Sequence, residues 1–254
     1  MRNKCLSFPT ERGGRENHQM RLAKFLSSAG VASRRAAERL ITDGRVVVNG
    51  RAVTDPALDV RDLDVVEFDG RRIEPVAKDR LIYIILHKPA GVVCTMSVGK
   101  EKGACLADLV QLDARLYPIG RLDRDSSGLL LLTNDGKLTY GLTHPKHSVE
   151  KEYIVRLDRP ISPRKFARIK KGVVIDDRLA EVDDLKPIKG GRLSITIHEG
   201  RKRIIRRLFE QVGCKVTELK RVRIGSVKLG KLPIGKWRYL RDGEIASLDR
   251  AKQG

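Results

Sequence analysis

Aromatic residues make up only 4% of the 254-residue chain, with five Phe, five Tyr and one Trp. That is too few for the long stacking platforms that hold extended single strands of nucleic acid. The four cysteines, Cys5, Cys94, Cys105 and Cys214, have no paired spacing, which speaks against a disulfide scaffold and a zinc site and for reduced cytosolic thiols. The five histidines offer no ligand set; His144 and His147 flank Pro145, where a helical metal motif cannot form. No apolar run approaches the roughly 18 residues that span a bilayer. Residues 1–19 are polar, lack the apolar centre of a secretory signal, and read as a disordered tail or a stretch ahead of a start at Met20. The glycine-rich spots fit neither a P-loop nor a dinucleotide fingerprint. These absences predict a globular cytoplasmic protein, monomeric, with no metal and no cofactor.

What the chain has in excess is positive charge: 52 Lys and Arg against 32 Asp and Glu, a formal net charge of +20. The excess is uneven. Between Arg201 and Arg241, fourteen Lys or Arg face only Glu210 and Glu218, so about a sixth of the chain supplies +12 of the net charge. Clustered cations favour phosphate contacts because they release condensed counterions from nucleic acid. With so few aromatics, recognition of folded RNA through shape and phosphates fits better than single-strand binding.

Residues 20–72 read as a compact unit. Leu22, Phe25, Leu26 and Ala29 recur at helical spacing and Gly30 follows as a C-terminal cap. Ser33 caps a second helix, Arg34 to Thr42, with Ala36, Ala37, Leu40 and Ile41 inward and Arg34, Arg35 and Arg39 outward. Val46 to Val48, Asn49-Gly50 and Arg51 to Val53 form a hairpin signal. Asp69 to Arg80 is polar, with Gly70 and Pro75, and residues 73–80 read as a linker. In residues 81–248, strands are expected at Leu81–Leu86, Leu129–Thr133, Glu152–Leu157 and Leu193–His198. Helices are expected at Leu106–Val110, Pro163–Lys170 and Arg203–Val212. That interleaving predicts an α+β fold: a small helical and hairpin RNA-binding domain, then a domain built on a mixed, mostly antiparallel sheet.

One segment carries the chemistry. Gly120-Arg121-Leu122-Asp123-Arg124-Asp125-Ser126-Ser127-Gly128 precedes four leucines and Thr133-Asn134-Asp135-Gly136. A carboxylate between two arginines, at the edge of a core strand, is expected to stay ionised, as suits a nucleophile or base acting on a polyanion. Asp125 and Asp135 read as turn residues.

The residues also resemble known families. Leu22 to Val53, with Ala-Ser-Arg-Arg and Val-Asn-Gly, resembles the small RNA-binding domain first described in a ribosomal small-subunit protein. Gly120-Arg121-Leu122-Asp123 resembles the catalytic signature of pseudouridine synthases. Lys151-Glu152-Tyr153, near His144-Pro145, is similar to their second motif, and Glu199 to Phe209 to their third. Order and spacing match the branch acting on bacterial ribosomal RNA, over about Leu22 to Leu240. The third motif departs from that branch at Lys202, Ile204 and Leu208, where Ile204 lacks a hydrogen-bonding side chain.

The resemblance implies roles. Asp123 would be the catalytic carboxylate, attacking sugar or base or abstracting a proton, and Arg206 would pair with it. Tyr153 would stack on the target base and take the carbon-5 proton. Ile205 would pack beneath it, Arg121 would fill the gap of a flipped nucleotide or bind its phosphate, and Lys151 would be a structural or phosphate contact. The implied partner is ribosomal RNA or a subunit precursor, in the large subunit by preference. The alternatives are a small-subunit target or a non-catalytic ribosome-assembly factor. A glycoside hydrolase would need a second carboxylate, for which Asp125 is the only near neighbour in sequence.

Overall fold

A computed structural model describes residues 19–77, 80–96 and 103–250. Residues 1–18, which include most of the expected tail and Cys5, lie outside the described residues. The chain divides into two compact units, Met1–Val76 and Ala77–Gly254.

The first unit contains β1 (Gln19–Arg21), α1 (Leu22–Ser28), α2 (Arg34–Thr42), β2 (Val46–Val48), β3 (Arg51–Val53), β4 (Asp59–Arg61), β5 (Val66–Phe68) and β6 (Arg71–Ile73). The Ser33 side chain accepts the Ala36 N–H and caps α2, leaving Ala37 and Ile41 buried against Leu22, Phe25 and Leu26 of α1. Asn49 and Gly50 both have positive φ, 51° and 77°, the type I′ geometry that suits a two-residue hairpin. Asp69 and Gly70 repeat it at 49° and 74° and fold Arg71–Ile73 back onto β5. The polar stretch from Asp69 therefore begins with a hairpin, and the four-stranded sheet runs β3-β2-β5-β6.

The second unit is built on a nine-stranded sheet. Its main path is β13 (Asp184–Ile188), β14 (Arg192–Ile197), β10 (Lys151–Leu157), β15 (Val216–Ile224), β9 (Ser127–Thr133), β7 (Tyr83–Lys88) and β17 (Trp237–Tyr239). β8 (Tyr117–Ile119) pairs with β9, and β16 (Val227–Lys228) with β15, while β11 (Val173–Ile175) and β12 (Arg178–Ala180) form a separate hairpin. Among the described strands of the main sheet only the β9–β15 pairing is parallel; the fold is α+β with a mixed, mostly antiparallel sheet. The leucine run of β9 is continuous because both faces are covered. Leu130 and Leu132 face the cluster holding Tyr153, Ile205 and Phe209, whereas Leu129 and Leu131 face the cluster holding Leu138, Leu142 and Leu248.

Several elements differ from expectation. β7 extends past Leu86 because His87 and Lys88 are themselves buried. Leu106–Asp108 makes one 3-10 turn, not a longer helix. Asp135 is a helix cap: its Oδ1 accepts the N–H groups of Lys137 and Leu138 and starts α3 (Gly136–Thr143). α4 (Pro163–Lys170) matches its expected limits, α5 covers Ile204–Glu210, and α6 (Asp242–Arg250) was not expected.

Where β9 meets β15, Gly128 lies opposite Arg221. A Cβ at Gly128 would sit 2.2 Å from the Arg221 carbonyl oxygen and 2.5 Å from its nitrogen, and φ is 111°. We predict that Gly128→Ala destabilises the fold by about 3 kcal/mol or more, since neither backbone can move without opening the pairing. A urea midpoint equal to wild type would contradict this.

Candidate active site

β8 delivers the chain through Gly120 into a tight turn, in which Ser126 N–H donates to the Asp123 carbonyl at 3.1 Å, and then into β9. Beneath this turn is a fully buried lysine. Lys88 Nζ donates to the carbonyls of Ser126 (2.8 Å), Pro89 (2.9 Å), Asp123 (3.2 Å) and Arg124 (3.4 Å). Burial lowers its pKa, while Cys94, Asp125 and Asp123 work in the opposite sense. The loop is stitched further by Gly91 N–H to the Arg124 carbonyl (2.7 Å), Arg124 Nε to the Gly91 carbonyl (3.1 Å), and Leu122 N–H to Cys94 Sγ (3.3 Å). A lysine closing an apolar strand just before Pro89 was the sequence signal for this anchor, and sequence reasoning passed over it.

The expected charge partners of Asp123 are not where the spacing suggests. Asp123 is half-buried and Arg121 exposed. Among the described residues, neither Arg121, Arg124 nor Arg206 makes an ion pair with Asp123. Arg206 pairs with Asp125: its Nη2 is 3.1 Å from the Asp125 carboxylate and also donates to the Asp125 carbonyl at 3.2 Å. Its Nη1 donates to the Val216 carbonyl at 2.9 Å. Arg203 reaches the same carboxylate at 3.4 Å. Of the two carboxylates in the turn, among the described residues it is that of Asp125 that meets the start of α5. Asp125, read as a plain turn residue, thus ties α5 to the loop.

Tyr153 is buried on β10, opposite Ile195 on one side and Arg221 on the other. Arg221 in turn lies opposite Gly128. At the usual strand spacing of about 4.8 Å, Tyr153 is two strands, roughly 10 Å, from Gly128 at the start of β9. The Arg221 guanidinium carbon is 6.0 Å from the Tyr153 ring centroid, within cation–π range. Arg221 Nε donates to the Leu129 carbonyl at 2.8 Å, and its buried Nη2 has no partner among the described residues. Ile205 is buried in the same apolar cluster as Tyr153. Lys151 Nζ donates to the carbonyls of Val149 (2.8 Å) and His198 (3.3 Å); burial, reinforced by the Arg221 charge, pulls its amine down to about 8. The structure therefore gathers Asp123, Tyr153, Arg206, Ile205 and Lys151 around the β9–β15–β10 strands. It adds Lys88, Asp125 and Arg221.

Arg34, Arg35 and Arg39 belong to the other unit, where all three are exposed on α2 with no ion pair among the described residues. The basic stretch from Arg201 to Arg241 is not one free face. Arg206 and Arg221 are buried, Arg223 pairs with Glu150 and Glu152, Arg207 with Asp176, Arg201 with Glu199 and Arg238 with Glu244.

The Lys88 anchor is testable. Lys88→Met keeps the bulk but takes a donor from four carbonyl oxygens, of which those of Asp123 and Arg124 retain the N–H groups of Ser126 and Gly91; relief from burying an ammonium offsets part of that loss. An orphaned buried polar group costs about 1–3 kcal/mol, so the variant is predicted to lose about 2 kcal/mol of unfolding free energy. A denaturant midpoint at or above wild type would show that the amine is not what holds the turn.

Comparison with known proteins gives the family. Residues 82–211 match the model of the family described as RNA pseudouridylate synthase, and residues 20–66 match the S4 domain. An RNA pseudouridine synthase of Aquifex aeolicus is 40% identical over 92% of this chain and 95% of its own length. The dual-specificity RNA pseudouridine synthase of Salmonella typhi is 39% identical over 92% of this chain and 80% of its own. The ribosomal large subunit pseudouridine synthase B of Bacillus subtilis is 37% identical over 90% and 95%. A crystal structure of a pseudouridylate synthase superposes with a TM-score of 0.66 at 29% identity, covering 90% of this chain and 99% of that one. The chain whose Asp123 turn rests on a buried lysine belongs to the RNA pseudouridylate synthase family and carries an S4 domain in its N-terminal unit.

Proposed function

We propose that the protein isomerises a uridine of ribosomal RNA to pseudouridine, in the large subunit by preference, working in the cytoplasm as a monomer without metal or cofactor. The observation that carries the reading is the Asp123 turn, pinned by Lys88 and Arg206 at the head of β9, inside the segment that matches the family. The large-subunit preference rests on the Bacillus subtilis relative named for it.

The reaction breaks the glycosidic bond, turns the base and rejoins it through carbon-5. The proton lost from carbon-5 is balanced by one gained at the freed N1, so there is no net change in atoms or electrons and no redox or group-transfer cofactor is called for. Asp123 supplies the carboxylate that drives bond cleavage. Arg206 acts through Asp125 and the Asp125 carbonyl, fixing the turn that aims Asp123. Tyr153 stacks on the base over an apolar floor that includes Ile205, and its phenol takes the carbon-5 proton. Exposed Arg121 meets the flipped nucleotide or its phosphate, and Lys151, protonated at neutral pH, adds positive charge on the Tyr153 strand.

The first test is tritium release from ribosomal RNA labelled at uridine carbon-5. Wild type is expected to release tritium, and Asp123→Asn to release none while binding the RNA within about threefold of wild type. Turnover by Asp123→Asn would remove the role of this carboxylate. No release by wild type, on naked RNA or assembled subunits, would favour a binding factor without catalysis. Mapping the product then decides between large- and small-subunit targets.

A second prediction concerns α2. Replacing Arg34, Arg35 and Arg39 together by Gln removes up to three phosphate contacts. The slope of log affinity against log salt should therefore fall by about 2, at 0.7–0.9 per contact. An unchanged slope would take RNA docking away from this helix.

A further inference from the structure

Immediately before β10, the chain gathers rings on its surface. Tyr140 of α3 is 52% exposed. Its ring centroid lies 4.8 Å from that of His144 and 6.0 Å from that of His147, and the two imidazoles are 6.2 Å apart. Lys146 Nζ is 5.5 Å from the Tyr140 centroid. The Lys146 N–H donates to His144 Nδ1 at 3.3 Å, which fixes that imidazole on the following 3-10 turn, Pro145–His147. Nothing in the established core uses this cluster, and the histidines hold no metal set among the described residues.

α3 packs on the sheet face opposite that of Tyr153, and its end reaches the segment that leads to Asp123. β9 runs away from the Asp123 turn, and α3, capped by Asp135, follows it in sequence. At Thr143 its last residue comes against Gly120, where a Cβ would be 4.0 Å from Thr143 Cγ2. Gly120 directly precedes Arg121 and Asp123, and the segment after His147 leads into Lys151 and Tyr153. The charge around the rings is positive: residues 136–149 contain Lys137 and Lys146 and no acidic residue. Both flanking carboxylates are engaged: Asp135 caps α3 and accepts from the Tyr83 hydroxyl, and Glu150 pairs with Arg223 at 3.0 Å.

We propose that Tyr140, braced by His144 and His147, is a stacking platform for one unpaired nucleotide in the strand that flanks the target uridine, with Lys146 beside it for the phosphate. The proposal rests on the RNA-modifying reading above. The scarcity of aromatics rules against a long platform, but one nucleotide needs one ring. Base flipping leaves neighbours unstacked, and a ring already braced by its neighbours loses little entropy on binding. A ring with an open face accepts any base, so the platform adds affinity and register, not base identity.

The test uses filter retention of naked large-subunit ribosomal RNA, which requires no turnover. Tyr140→Leu keeps apolar bulk and removes the ring; it is expected to weaken binding about tenfold, within the range for loss of one base stack, with the salt slope unchanged. Tyr140→Phe should restore affinity, and Lys146→Gln should lower the salt slope by about 1. Wild-type affinity in Tyr140→Leu, or a Phe variant as weak as Leu, overturns the platform. If Tyr140→Leu melts early, exposed Lys146→Gln carries the test, and an unchanged slope there is equally fatal. Failure of the enzymatic reading would appear separately, as absent tritium release by wild type.

Discussion

Everything in the catalytic unit depends on one buried ammonium. Lys88 has no solvent contact, and its four acceptors are all backbone carbonyls: one beside it in sequence and three from the Asp123–Ser126 turn. A charge in that position is costly unless its hydrogen-bonding capacity is filled, and the lowered pKa records that cost. The loop supplies the compensation, because carbonyl oxygens converging on one point suit a compact ammonium better than a planar guanidinium. The dependence is mutual: without the amine the turn would bury acceptors short of a donor, and without the turn the amine would be an unpaired interior charge. The backbone of Asp123 is consequently set by an element, β7, that is over thirty residues away in sequence.

β9 extends that constraint across the sheet. It is covered on both faces, and its parallel pairing with β15 is possible because residue 128 has no side chain to meet the Arg221 backbone. That close approach lets Arg221 return a hydrogen bond to the Leu129 carbonyl while its guanidinium lies near the Tyr153 ring. The loop, the glycine, the buried arginine and the tyrosine thus form one connected path over three adjacent strands. Arg206 closes the path from the helix side through Asp125 and Val216.

How much of this was legible in the sequence varies with the physics involved. Periodicity and capping carry local information, so α2, α4 and the Asn49-Gly50 hairpin could be read from a few residues. The leucine run and the carboxylate before it marked the site. What could not be read was which carboxylate an arginine eighty residues away would choose: Asp123 and Asp125 share one turn and differ only in their place in it. β15 was hidden because its core positions are interrupted by Arg221 and Lys220, so its pattern resembles a solvated basic segment. α3 was missed because Asp135-Gly136 signals a turn and a helix cap equally well.

The basic stretch shows why net charge overstates RNA affinity. Of its fourteen cations, Arg201, Arg203, Arg206, Arg207, Arg221, Arg223 and Arg238 are held by carboxylates or carbonyls inside the unit. The side chains of Lys202, Lys215, Lys220, Lys228, Lys231, Lys236 and Arg241 make no ion pair among the described residues. All the engaged residues are arginines, and all but one of the free residues are lysines. The division follows from chemistry: a guanidinium forks two donors toward fixed carboxylates and carbonyls, while a hydrated ammonium on a flexible stem suits a mobile contact with phosphate. Structural arginines are paired or buried before any RNA arrives and release few counterions when it does. The salt dependence of binding should therefore follow the exposed lysines and the arginines of α2, a much smaller number than +20 implies.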